Sequence, residues 1–168
     1  MASLVSPSTR YKDSFIAAVR EYHTEGRYDE LDTAWLQDHF DTYVVDLLER
    51  KVYAAPGKVK ESVLWLVEGE NFVGRLSIRH ELNDFLKTFG GHIGYDIRPT
   101  ERRKGYGMLI LRLALPEARA LGLSRAMLTC DSTNLASRKI IEANGGQLQD
   151  ETLLEGRDVP TLRWWIAL

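Results

Sequence analysis

Arg102-Arg103-Lys104-Gly105-Tyr106-Gly107 sets three cations and two glycines side by side. Pro99 stops the apolar run before them and a helical periodicity follows, so the cluster falls at a helix start. The first turn of a helix has unpaired amides and the positive end of its dipole. Glycines admit positive φ and let a ligand approach the backbone. Such a turn suits a phosphate or pyrophosphate. A solvated basic bend is the plainer reading of the string alone. It is not a Walker loop, because no Gly-Lys-Ser/Thr ending is present, and the G-x-G-x-x-G fingerprint fails as well. Just upstream, His92 and Asp96 lie two pleat positions apart on one face of a strand over residues 91–98. An imidazole titrating near 6.5 suits proton transfer, and a hydrogen-bonded structural histidine is the alternative. His80, Glu81 and Asp84 are weaker candidates. Cys130 ends an apolar run with no histidine beside it in the strand, and reads as a small core residue.

The elements that must position these groups follow from periodicity. Leu4-Val5 is a short strand ended by Pro7. Ser8 or Thr9 caps a helix whose face is Tyr11, Phe15, Ala18, Val19 and Tyr22. A second helix, residues 33–50, is capped by Asp32 and buries Leu36, Phe40, Tyr43, Val44, Leu47 and Leu48. Residues 23–28 between them read as a polar, mobile connection. Residues 62–68 and 72–79 form a hairpin around Gly69-Glu70-Asn71. Residues 82–90 are irregular. The strand over 91–98 turns Ile93, Tyr95 and Ile97 to one face and His92, Asp96 and Arg98 to the other. A helix over 105–121 is closed by Gly122 and is predicted to kink at Pro116. A strand over 125–130, a helix over 134–144 and a hairpin of 147–154 with 159–167 complete the chain. In that last strand Trp164 and Trp165 face opposite ways. The pattern predicts an α/β (α+β) architecture in one domain, residues 1–168.

Residues 91–146 resemble the coenzyme A-binding core of the GNAT (GCN5-related) N-acetyltransferases. The family pattern G-Y-x-I/V-x-P is met by Gly94-Tyr95-Asp96-Ile97-Arg98-Pro99, and R-x-x-G-x-G by Arg102 to Gly107. The later N-x-x-A/S, apolar residue and glycine are Asn134, Ser137, Ile140 and Gly145. The two N-terminal helices and the hairpin also fit, so the resemblance covers essentially the whole chain. It implies the GNAT fold, a mixed central sheet of about six or seven strands flanked by about four helices. It also implies transfer of an acetyl group from acetyl-CoA to a primary amine of a small molecule by direct attack, without a metal. A peptide or protein N-terminal or lysine acetyltransferase, and a non-catalytic coenzyme A sensor, are the alternatives.

Residue by residue, the resemblance implies that Arg102 and the amides of Arg103, Lys104, Gly105, Tyr106, Gly107 and Met108 wrap the pyrophosphate. Tyr95, Asp96 and Ile97 bond the pantetheine arm by main chain, in a gap where their strand splays from residues 125–130. An amide near Tyr95 polarises the thioester. Asn134 bonds the pantetheine, and Ser137 and Arg138 reach the arm or the phosphates. Direct attack needs a neutral amine, whose ammonium form has a pKa of about 10. His92 stands where ribosomal-protein N-terminal acetyltransferases carry Glu in E-I-G-Y, which makes it the first candidate base, with Asp96 beside it. The tyrosine that many relatives place seven residues after the asparagine is here Ile141. Solvent or a tyrosine from elsewhere must then protonate the thiolate. Tyr22, His23, Arg27, Trp35 and His39 fall where acceptors enter.

Composition narrows the partners. Among 168 residues, 22 basic against 24 acidic give a net charge of −2. That offers no bulk attraction for nucleic acid or an anionic membrane, and a three-cation loop is no broad basic face. No apolar run approaches the roughly 20 residues of a span, and residues 1–10 lack a signal-peptide layout. One cysteine excludes an intramolecular disulfide framework and points to a cytoplasmic setting. The expected partner is a small amine, with no nucleic acid and no membrane. The family often forms homodimers.

Overall fold

The computed structural model describes residues 1–168. Its first half builds a sheet of four antiparallel strands, β1 (Ser3–Val5), β2 (Glu61–Glu68), β3 (Asn71–Arg79) and β4 (Ile93–Ile97), in that spatial order. Helices α1 (Lys12–His23) and α2 (Thr33–Glu49) cover one face of it. Ser8 accepts from the Arg10 amide at the turn before α1, and Asp32 caps α2 by accepting from the Ala34 and Trp35 amides. Phe15 of α1 stacks on Trp65 of β2 with ring centroids 4.8 Å apart, and Phe40, Tyr43 and Phe72 close around them. The helix faces read from periodicity are thus the buried ones, except that Leu48 is only half-buried. Helix α2 breaks stride at His39, with φ −127° and ψ 30°.

The second half adds α3 (Asp84–Thr88), α4 (Tyr106–Ala120), β5 (Arg125–Asp131), α5 (Leu135–Ala143), β6 (Gln147–Thr152) and β7 (Thr161–Ala167). The last strand inserts between β5 and β6, giving an antiparallel sheet ordered β5-β7-β6. A second core joins α4, α5 and both sheets through Leu76, Ile78, Ile110, Leu111, Leu128 and Trp164. Trp164 is its inward tryptophan, and Trp165 lies on the other face under Arg125. No helix is long and apolar enough to cross a membrane.

Seven strands are present, but they form two sheets instead of one continuous mixed sheet. The sheets meet at a seam: an isolated bridge between Gly91 and Leu128, and a bond from the His92 amide to Met127 O at 2.7 Å. Beyond that seam β4 and β5 diverge. Gly91 permits the close approach at the seam itself, since φ is +63° and a β-carbon there would lie 2.4 Å from Met127 O.

Three local expectations need correction. Residues 82–90 contain α3, capped by Asn83 accepting from the Leu86 amide, which is too short to show a period. Pro116 does not interrupt α4, which runs on to Ala120, and both Pro116 and Arg112 lie on its exposed side. The connection at 23–28 is not loose, since three of its side chains are tied to distant elements, as described next.

Candidate active site

The basic turn becomes the start of α4. Arg103 (φ +62°) and Gly105 (φ +86°) both adopt left-handed backbone there. Leu109 is the first helical amide bonded back, to Gly105 O at 3.1 Å. The amides of Tyr106, Gly107 and Met108 therefore have no partner inside the helix. Gly107 lets α5 come close, because a β-carbon there would meet Ile140 Cδ1 at 2.6 Å. Two of the three cations are already balanced. Arg102 holds Glu25 in a bidentate pair at 2.8 and 2.9 Å, and Lys104 lies 3.0 Å from Glu101. Arg103 stands outside both pairs. Tyr106 donates to Glu68 at 2.6 Å, which raises its own pKa to about 12.

The separation of β4 from β5 opens beside this turn. Tyr95 points from β4 toward α5, its hydroxyl 3.3 Å from Ser137 Oγ, and burial pushes its pKa to about 12. Asn134 caps α5, its side chain accepting from the Ser137 amide at 3.0 Å. Arg138 reaches back to Ser132 O at 3.3 Å. Ile141, at the tyrosine position of the resembling family, is fully buried core. Cys130 of β5 is buried too, and burial raises its thiol pKa, which fits the core reading.

The other face of β4 carries Asp96. Arg27 forms an ion pair with it, and the Tyr28 hydroxyl donates to it at 3.1 Å. Burial raises the Tyr28 pKa to about 12. Together with Glu25 on Arg102, these contacts strap the 23–28 connection to β4 and to the α4 turn. Tyr22 lies underneath with its hydroxyl buried and unbonded. His23 bonds Tyr28 O at 2.9 Å, while Trp35 and His39 stack on each other at the surface.

His92 is not brought to Asp96. Its Nδ1 accepts the Met127 amide at 2.9 Å, so in the neutral ring Nε2 carries the proton. Burial lowers its pKa, and Arg79 and Arg125 lower it further. The imidazole thus bolts β4 to β5 and spends its basic lone pair doing so. His80 is engaged by Ser62 at 2.9 Å.

Sequence reasoning named Arg27 but missed Tyr28 as its partner on Asp96. It also missed Arg75 and Arg79, whose alternate positions on β3 were the available signal. No three His, Cys, Asp or Glu side chains stand together as metal ligands would.

Comparison with known proteins agrees with this geometry. The family model for the acetyltransferase (GNAT) domain matches residues 14–147. No curated protein matches the sequence. Among solved structures, RimJ of Mycobacterium smegmatis in complex with a CoA disulfide is similar at TM-score 0.73 and 16% identity, covering 99% of this chain and 81% of that one. The microcin self-immunity acetyltransferase MccE, in complex with acetyl-CoA and AMP, is similar at TM-score 0.71 and 13% identity, covering 99% and 92%. RimL, a ribosomal alpha-N-protein acetyltransferase in complex with coenzyme A, is similar at TM-score 0.70 and 14% identity, covering 99% and 94%. At such identities these structures share the fold with this chain. It is the match over residues 14–147 that assigns the lineage: the chain belongs to the GNAT family and is an acetyl-CoA-dependent acetyltransferase.

Proposed function

We propose that residues 1–168 act as one catalytic domain that acetylates a primary amine of a small molecule by direct attack on acetyl-CoA. The observation that carries this reading is the divergence of β4 from β5 beside the unpaired amides of α4. The pyrophosphate sits on the amides of Tyr106, Gly107 and Met108, with Arg103 as the cation free to meet it. The pantetheine lies along Tyr95, Asp96 and Ile97, as a strand adds to a sheet edge. The amide at Tyr95 stabilises charge on the thioester oxygen as the amine attacks.

Nitrogen bonds to the thioester carbon, the carbon–sulfur bond breaks, and the electron pair leaves on sulfur. With Ile141 where the family places a tyrosine, we assign protonation of that thiolate to the Tyr95 hydroxyl, which lies beside Ser137 of α5. His92 positions the strands, and the amine loses its proton to solvent. The rate then rises with pH toward the amine's own pKa of about 10, without a step near 6.5.

The test is a thiol-release screen with acetyl-CoA against amines, amino acids, aminoglycosides and peptides. Release with a small amine is expected. Saturating acetyl-CoA should raise Tm, and Gly105→Asp should abolish that shift by placing bulk and negative charge against the pyrophosphate. Absence of any acetyl-CoA binding would sink the proposal. One of the similar structures, RimL, is a reason to keep peptide N-termini in the panel, since it is described as a protein acetyltransferase. Tight binding with no release from any acceptor would instead favour a coenzyme A sensor.

A further inference from the structure

Arg75, Ser77 and Arg79 alternate along β3 and share the face opposite the α4 core, into which Leu76 and Ile78 point. In register they meet β4, with Arg75 opposite Asp96 and Ser77 opposite Gly94. Arg79 donates to the carbonyls of Gly90 and Gly91 at 3.1 Å each. Its guanidinium also lies over Gly94, where a β-carbon would meet Nη1 at 3.6 Å and Ser77 Oγ at 3.9 Å. Arg75 lies over the Tyr28 ring, 5.1 Å from its centroid, and its charge is felt by the buried Tyr43 hydroxyl of α2.

Neither guanidinium has a carboxylate of its own. Asp96 is taken by Arg27, and Glu61, which attracts Arg79, is held by Arg50 at 3.2 Å. Burial lowers the Arg79 pKa, and the like charge of Arg75 lowers it further. Half-buried cations without counter-ions are costly unless an anion joins them. Beyond Arg79 the face opens into a cavity of about 760 Å³, lined by the cations Arg50 and Lys58, by the carboxylates Asp46, Glu49 and Glu61, and by the exposed Tyr53 and Phe85, with Arg75 outside it.

We propose that Arg75 and Arg79 bind an oxyanion of the acceptor, so that the substrate is a small molecule carrying both a primary amine and a carboxylate or phosphoryl group. This rests on the acetyl-transfer reading above and adds the acceptor's class to it. The spacing is suitable. Gly94 and Asp96 flank Tyr95, whose amide meets the thioester in that reading. An anion held over this stretch lies within about two residue rises, ~7 Å, of the reacting carbon. That is the reach of a small zwitterion. Ser77 Oγ supplies a further hydrogen-bonding group in the strip.

The experiment uses matched pairs: amino acids with their carboxamides, and aminoalkyl phosphonates with their dialkyl esters. Thiol release is measured with acetyl-CoA, and the thermal shift of the coenzyme A-loaded protein is measured with the same panel. The acid members should exceed their neutral partners by roughly ten- to hundredfold in kcat/KM, the loss expected when a charge-assisted pair goes unmade. The carboxylate and phosphonate arms tell the two anions apart. Arg75→Gln should erase the preference through KM, with acetyl-CoA binding unchanged, and Arg75→Lys should restore part of it. A purely structural arginine would alter Tm without moving the acid-to-amide ratio. Equal use of acids and neutral partners, a preference for peptides, or no shift with any member overturns the anion site while acetyl-CoA binding stands. Loss of acetyl-CoA binding in the wild type would overturn the underlying reading as well.

Discussion

His92 shows how much a single side chain's role depends on one hydrogen bond. Its Nδ1 is an acceptor for a buried amide, so the neutral ring is the form the fold needs. The unfolded imidazole titrates near 6.5 and the folded one lower, so on acidification the unfolded chain takes up the proton first. Stability therefore rises with pH through this range and is lost as pH falls below about 6.5. His80 shifts the same way, by burial and by Lys60, and adds to the slope. Melting curves between pH 7.5 and 5 should show this, and His92→Ala should flatten but not remove it. The variant should also cost about 1–3 kcal/mol, because the Met127 amide is left buried without a partner. At Tyr95, removal of the hydroxyl by Tyr95→Phe should lower kcat on the order of tenfold, with acetyl-CoA affinity kept, if that hydroxyl protonates the thiolate. Single-turnover and steady-state assays separate the two effects. The glycines and Asn134 were legible because their spacing is dictated by local backbone. The partner of His92 was not, because Met127 comes from another sheet.

At the scale of elements, the connection between α1 and α2 carries more than its composition suggests. Glu25, Arg27 and Tyr28 are polar, which made the segment look mobile, yet each reaches across to β4 or the α4 turn. Those partners lie far along the chain, and no local pattern announces them. In the proposed reading, where the α4 turn takes the pyrophosphate, the Glu25–Arg102 pair has a cost, since Glu25 competes for the guanidinium. Glu25→Gln should tighten acetyl-CoA about two- to fivefold, the scale of a half-exposed ion pair, and calorimetry at low salt reads it directly. By contrast the β2–β3 hairpin and the faces of α1 and α2 were readable, because burial imposes period 2 or 3.6 on the sequence. The five residues of α3 are too few for either period. Pro116 misled for a different reason: its effect depends on which way the freed carbonyl faces, and that is set by tertiary packing.

For the molecule as a whole, the decisive feature is a sheet that comes apart along one seam. The seven strands and four of the five helices could be read from periodicity, but the separation of β4 from β5 followed only from the family resemblance. Nothing in either strand's own residues signals it. The glycine that lets the sheets touch at that seam is specific. Gly91→Ala would set a β-carbon 2.4 Å from Met127 O at a positive φ, so the seam must shift. The expected result is a Tm lowered by several degrees together with a weaker acetyl-CoA shift, whereas Gly122→Ala, also at a positive φ but with nothing within 4 Å of its β-carbon, should lower Tm and leave the coenzyme response intact.

That same seam has a consequence for solubility. Most sheets have their two free edges at the outside, where charge or cover can blunt them. Here two further edges, those of β4 and β5, face each other inside the protein, with every second peptide group turned toward the opening. Unpaired strand edges are templates for another chain. In the proposed reading the coenzyme that lies between these strands also shields their edges, and the protein without acetyl-CoA is the more aggregation-prone form.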